Sequence, residues 1–109
     1  MEWIALTTED QLQEIHKSNT TTLIFKHSYT CFISKRVLRF FEEDADSSDK
    51  KIPAYFLDIL LHRPLSNFIA QAWHVQHESP QILVIKGNEC LFEASHGDIN
   101  FEDILPFFD

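Results

Sequence analysis

The chain has 109 residues, 44% hydrophobic content, 24% charged residues and a formal net charge of −8. These values predict one small globular domain over residues 1–109, and they argue against a disordered chain and against nucleic acid or an anionic membrane as a partner. No signal-peptide pattern and no apolar run of about 18 residues is present, so a cytoplasmic location with reduced thiols is expected.

The first half of the chain predicts a helix, a strand and a second helix. TTEDQLQEI is typical of a capped helix with acidic residues in its first turn, over about 8–18. TTLIF at 21–25 is apolar without alternation, which indicates a strand covered on both faces of its sheet. CFISKRVLRFF at 31–41 has apolar residues at helical spacing, and EEDADSSDK at 42–50 is expected to be an acidic loop or helix end.

The second half predicts a strand at 54–60, a helix at 64–75, a hairpin turning at Gly87 and Asn88, and a short C-terminal helix. Strands that alternate with helices imply parallel strands joined by right-handed crossovers, and the hairpin adds antiparallel strands. The expected architecture is therefore an α/β, thioredoxin-like fold, with a central mixed sheet of about four strands and helices on both faces. EWIAL near the N-terminus is a possible short edge strand.

Cys31 lies between the first predicted central strand and the helix that follows it. In the first turn of a helix, backbone N–H groups lack intrahelical partners and the helix dipole presents positive charge, and both stabilise a thiolate. The surrounding segment 26–41 contains no acidic residue and four basic ones: Lys26, Lys35, Arg36 and Arg39. This setting predicts a reactive nucleophile rather than a buried structural thiol.

Ser34 lies three positions after Cys31, where a dithiol redox protein carries its second cysteine. A serine cannot attack a mixed disulfide, but its hydroxyl can donate a hydrogen bond to a thiolate one helical turn away. We therefore predict a one-thiol mechanism with Cys31 and Ser34 as the catalytic pair. The alternative for Ser34 is an ordinary serine of the first helical turn.

The segment HESPQILVI places Ser79 and Pro80 directly before a buried strand, which makes their peptide bond a candidate cis bond. In thioredoxin-like folds such a proline faces the active cysteine and offers backbone groups to an extended substrate. Cys90 is expected to face the core on the same side of its strand as Phe92 and Ala94. No arrangement of histidine and cysteine shows metal-ligand spacing, so no metal site is expected.

Three segments, KHSYTCFIS, RPLSNFIAQAWHVQHESPQ and ASHGDI, resemble the YtxJ-like monothiol bacilliredoxins over about Lys26–Ile99. The resemblance implies a thioredoxin-like fold in which Cys31 is the nucleophile of a TCxIS motif that starts at Thr30. It also implies a thiol–disulfide oxidoreductase that acts on S-thiolated proteins, with bacillithiol or a similar small thiol as co-substrate and no bound cofactor. Phe32 stands where the family pattern has proline, and Gly97 stands where tryptophan is expected.

Substrate contacts are expected from six residues around the thiol: Lys26, Thr30, Phe32, Arg63, Ser79 and Pro80. The cluster of Lys26, Lys35 and Arg36, with Arg63 as a further candidate, suits a small thiol that carries carboxylates. Two alternatives stay open. One is a protein that holds an iron–sulfur cluster like the monothiol glutaredoxins, although their CGFS motif is missing. The other is a thioredoxin-like interaction domain without catalysis, which would show no transfer of a small thiol.

Overall fold

Five strands form a single mixed sheet in the computed structural model, which describes residues 1–109. The strands are β1 (Trp3–Ala5), β2 (Thr21–His27), β3 (Ala54–Asp58), β4 (Gln81–Lys86) and β5 (Glu89–Ser95). They lie side by side in the order β1-β3-β2-β4-β5. The first three are parallel, β4 is antiparallel to β2, and β5 is antiparallel to β4. The predicted mixed sheet is confirmed, and the N-terminal segment supplies the additional edge strand.

Four α-helices connect and cover these strands. They are α1 (Glu9–Lys17), α2 (Phe32–Asp46), α3 (Arg63–Ala72) and the short α4 (Phe101–Ile104). Thr8 caps α1 in a capping box with Gln11, as the sequence pattern predicts. None of the helices combines the length and the apolar character that crossing a lipid bilayer requires.

The helices cover the two faces of the sheet over two separate apolar cores. The core under α1 and α3 contains Leu12, Ile15, Leu65, Ile69 and Leu83. The core under α2 and α4 contains Phe25, Phe41, Ala45, Phe101 and Ile104. Successive side chains of β2 alternate between these faces. Phe25 points toward α2, whereas Ile24 and Lys26, on either side of it in the strand, point toward α3.

A β-bulge in the closing hairpin overturns the expectation for Cys90. Cys90 pairs with Ile85 and Phe92 pairs with Val84, so Leu91 is the extra residue in β5. The bulge interrupts the alternation of side chains. As a result Cys90 packs against the core under α1 and α3, whereas Phe92 and Ala94 pack against the opposite core. The prediction that all three share one face was therefore wrong.

One end of the sheet gathers the loops in which the predicted site residues lie. Register pairs His27 with Asp58, Lys26 with Gln81, and Gln81 with Ser95. The carboxyl ends of β2, β3 and β5 therefore meet the start of β4 at the same end, which we call the Cys31 end. Cys31 follows β2 there, and Pro80 precedes β4.

Candidate active site

Cys31 is the N-cap residue of α2 and carries a free, half-buried thiol. Its backbone N–H donates to the carbonyl of Ser28 at 3.2 Å, and its carbonyl accepts from the N–H of Lys35 at 3.1 Å. Both backbone groups are thus engaged in the turn that starts the helix. The thiol itself makes no hydrogen bond with another side chain and lies next to the unpaired N–H groups of the first helical turn.

Ser34 does not donate a hydrogen bond to the thiol, contrary to the prediction. Its fully buried hydroxyl lies 2.7 Å from Nδ1 of His27 and accepts from the backbone N–H of Ser28 at 3.1 Å. Burial lowers the pKa of His27 and so favours its neutral ring, whose Nδ1 can either accept from the Ser34 hydroxyl or donate to it. Ser34 therefore connects α2 to the loop that carries Cys31 and fixes that loop against the end of β2.

Lys26 is fully buried, with its ammonium group 3.2 Å from Nδ1 of His77. Ser66 places its hydroxyl 2.9 Å from the same nitrogen. Burial lowers the pKa of Lys26 to about 8. Burial, and then the nearby charges of Lys26 and Arg63, lower the pKa of His77.

The predicted basic cluster is therefore divided between the two faces of the sheet. Lys26 points toward α3, where Arg63 is the exposed first residue of the helix. Lys35 and Arg36 are exposed on α2, on the other face. The prediction that Lys26 joins a surface cluster with Lys35 and Arg36 was wrong, because the alternation along β2 turns its side chain inward.

Ser79 and Pro80 lie beside the loop that leads to Cys31. Their peptide bond is cis, and the carbonyl of Pro80 accepts from the N–H of His96 at 3.0 Å. The hydroxyl of Ser79 is buried without a hydrogen-bond partner. His96 adopts a positive φ of 54° and brings Nε2 to 2.9 Å from Glu78, which links the end of β5 to the segment before Pro80.

Exposed apolar side chains are concentrated at the Cys31 end and along α2. Six of the eight large hydrophobic residues that are exposed come from the loops at that end or from α2: Tyr29, Phe32, Ile33, Phe40, Leu60 and Leu61. Phe32 is 75% exposed, the most of any in this set. Thr30 is also exposed, with its hydroxyl 3.3 Å from that of Ser28. This apolar concentration suits contact with a protein rather than with a small solute alone.

The family model for the monothiol bacilliredoxin BrxC matches residues 4–104. The chain belongs to the monothiol bacilliredoxin family. A solved structure described as having a thioredoxin fold is 31% identical, with 94% of this chain and 90% of that chain covered and a TM-score of 0.78. Two thioredoxins share the fold. Thioredoxin from Malassezia sympodialis is 12% identical, with 98% of this chain and 88% of that chain covered and a TM-score of 0.74. Thioredoxin from Trypanosoma brucei brucei is 11% identical, with 89% of this chain and 80% of that chain covered and a TM-score of 0.71.

Sequence reasoning missed several buried polar residues of this bacilliredoxin. Seven polar side chains are buried, and only Thr22 lies away from the Cys31 end. The six at the Cys31 end are Lys26, His27, Ser28, Ser34, Ser66 and Gln81. The available signal was the polar triplet KHS, which directly ends an apolar strand. Buried polar groups need partners, so such a triplet indicates a hydrogen-bonded network at the strand end.

Proposed function

We propose that this bacilliredoxin removes a low-molecular-weight thiol from S-thiolated proteins by thiol–disulfide exchange at Cys31. One observation carries the proposal: Cys31 is accessible at the N-terminus of α2, and no second cysteine lies at that end of the sheet. A thiol in this position is suited to attack an incoming disulfide. The family and the fold support a monothiol redox protein.

The exchange conserves the number of disulfide bonds. The Cys31 thiolate attacks the sulfur of the small thiol in the mixed disulfide, the bond between that sulfur and the protein sulfur breaks, and the protein thiolate leaves and takes up a proton. Cys31 then carries the small thiol. A second, external thiol must attack this new disulfide to restore Cys31, because Ser34 has no sulfur and is occupied by His27 and Ser28.

The charges near the thiol favour a small thiol that carries carboxylates, such as bacillithiol. Lys35 and Arg36 are exposed close to Cys31 and take part in no ion pair. Exposed cations of this kind attract a carboxylate without first giving up another partner. We propose that the small thiol is a co-substrate and that the protein needs no bound cofactor.

The test uses one client protein that carries bacillithiol, glutathione or cysteine on the same residue. We expect the intact mass of this bacilliredoxin to rise by one small thiol while the client thiol is released, fastest with bacillithiol. Equal or faster transfer from glutathione would leave the exchange chemistry standing and contradict the choice of co-substrate. No mass gain with any of the three would contradict the proposal and favour a non-catalytic interaction domain.

A further inference from the structure

An apolar groove lies along α2 and begins at Phe32, the residue after Cys31. Phe32, Ile33, Val37, Phe40 and Ile99 supply its apolar walls, and Arg36 and Gly97 complete it, around a volume of about 330 Å³. Ile33, Arg36, Val37 and Phe40 follow the spacing of one helical face. Apart from its two chain neighbours, no residue places an atom within 4 Å of the position that a Cβ at Gly97 would occupy, so the groove has room for a side chain on that side.

Basic side chains flank this groove in a chain that is acidic as a whole. A neighbouring surface depression is lined by Phe32, Lys35, Arg36, Arg39 and Phe40. The guanidinium groups of Arg36 and Arg39 lie 5.6 Å and 5.2 Å from the centroid of the Phe40 ring. Arg39 also approaches Glu43 at 3.6 Å, whereas Lys35 and Arg36 have no acidic partner. The local surface is therefore both aromatic and positive, although the formal net charge of the chain is −8.

We propose that this surface, the α2 groove, docks the stretch of client protein next to the thiolated cysteine, and that it selects a stretch with acidic residues and one large apolar side chain. The inference rests on the proposed function and adds the kind of client that it takes. Charge complementarity carries the choice of occupant, because a positive apolar groove attracts a negative apolar segment. A second copy of this chain is a poorer occupant, since two chains of charge −8 repel.

The dimensions of the groove define the length of the docked segment. Phe40 lies nine residues beyond Cys31, so α2 rises by about 13 Å between them. An extended peptide covers that distance with about four residues. The apolar side chain that fills the groove beside Phe40 is therefore expected within about four residues of the client cysteine, with the acidic residues between them.

The test compares peptides that carry 2-mercaptoethanol as a mixed disulfide on one central cysteine. One peptide has two glutamates and a phenylalanine after the cysteine, the second has lysines in place of the glutamates, and the third has alanine in place of the phenylalanine. We expect the first to transfer mercaptoethanol to Cys31 about 10-fold faster than the second, with an advantage that falls as salt rises. The third should be slower than the first at every salt concentration.

Variants of the protein locate the effect in the groove. Phe40→Ala removes an apolar wall, and Gly97→Trp fills the open side. Both should slow the glutamate–phenylalanine peptide to the rate of its alanine counterpart, while the reaction with 2-hydroxyethyl disulfide stays unchanged. Leu91→Ala is the matched control, because Leu91 is an exposed apolar residue on β5, away from the groove.

The outcomes separate this inference from the proposed function. Equal rates for all peptides, or variants without effect, would overturn the docking surface and leave the exchange chemistry intact. Sedimentation that shows a dimer, and a dimer that Phe40→Ala abolishes, would assign the groove to a second copy and also overturn the inference.

Binding is measured separately from exchange. A version of each peptide with serine in place of the central cysteine is titrated against the protein. If none of the disulfides reacts with Cys31, the exchange proposal is overturned. Tighter binding of the glutamate–phenylalanine serine peptide would then support the α2 groove alone, whereas equal binding of all the serine peptides would overturn the groove as well.

Discussion

Ser34 makes its contacts with the end of β2 rather than with the thiol one turn before it. Its hydroxyl accepts from the N–H of Ser28 and bonds to Nδ1 of His27, and all three residues are buried. A buried donor left without its acceptor costs more than an exposed hydrogen bond contributes. In this bacilliredoxin the serine therefore holds the loop that presents Cys31.

Ser34→Ala should lower the free energy of unfolding by about 1–3 kcal/mol, because the N–H of Ser28 and the ring of His27 lose a buried partner. Urea unfolding measures this change. Ser47→Ala is the matched control at the C-terminal end of the same helix, since the Ser47 hydroxyl donates an exposed hydrogen bond to the carbonyl of Glu43. Equal stability losses in the two variants would contradict the assigned role of Ser34.

Lys26 is a buried amine whose pKa falls from 10.5 to about 8. Between these values the unfolded chain binds the proton and the folded chain does not, so this residue makes stability rise with pH across the window. At pH 7 the charged form must be buried, which costs about 3 kcal/mol. The cost disappears progressively as pH rises from about 8 to the unfolded value near 10.5.

Lys26→Met should therefore be more stable than the unmodified protein at pH 7, and the difference should shrink as pH approaches 10. Urea unfolding at several pH values in this range gives both quantities. Lys35→Met controls for the loss of a charge, because Lys35 is exposed on α2. The same pH dependence in the Lys26 and Lys35 variants would contradict the buried-amine account.

The elements of the fold could be predicted from the sequence because each carries a local pattern. The apolar runs predicted the central strands, and the capping pattern predicted α1. Two features depend on packing that local patterns do not encode. α2 continues to Asp46 because Phe41 and Ala45 are buried against the sheet, and the bulge at Leu91 depends on the register with β4.

The candidate site was only partly predictable for a related reason. The position of Cys31 at a helix start follows from the strand–helix boundary, which the sequence marks clearly. The partners of Ser34 and Lys26 depend on which way buried side chains point, and on contacts with His27 and His77 across the fold. Such contacts are set by tertiary packing.

The start of α2 is already suited to proline. Phe32 is the first helical residue, where the N–H has no intrahelical partner, and its side chain is 75% exposed. Cys31 before it has φ −97° and ψ 119°, the extended conformation that a residue before proline prefers.

Phe32→Pro should therefore raise the free energy of unfolding by about 0.4–1 kcal/mol, chiefly by restricting the unfolded chain. Thermal and urea unfolding both report this gain. Lys35→Pro is the contrasting control, because the N–H of Lys35 donates to the carbonyl of Cys31 and its loss should destabilise by about 3 kcal/mol. Destabilisation by Phe32→Pro would show that the Phe32 ring makes contacts that matter to the helix start.

Across the whole molecule the two cysteines lie at opposite ends of the sheet. Cys90 pairs with Ile85, which pairs with Thr22 near the start of β2, whereas Cys31 follows His27 at the other end. The five residue-to-residue steps from Thr22 to His27 span about 16 Å along the strand. A disulfide needs Cα atoms within about 7 Å of each other. Burial also raises the pKa of the Cys90 thiol, which keeps it protonated and a poor nucleophile.

Cys90→Ser should therefore leave removal of the small thiol from a client protein nearly intact, whereas Cys31→Ser should abolish it. In the Cys90→Ser protein, intact mass should show one small thiol per chain on Cys31, and this adduct should persist until an external thiol is added. Cys90→Ala is the control, because the serine variant places a hydroxyl in the core and could lose activity through instability, whereas alanine adds no polar group. A disulfide between Cys31 and Cys90 during turnover would contradict the one-thiol mechanism, since the sheet would have to open for the two residues to meet.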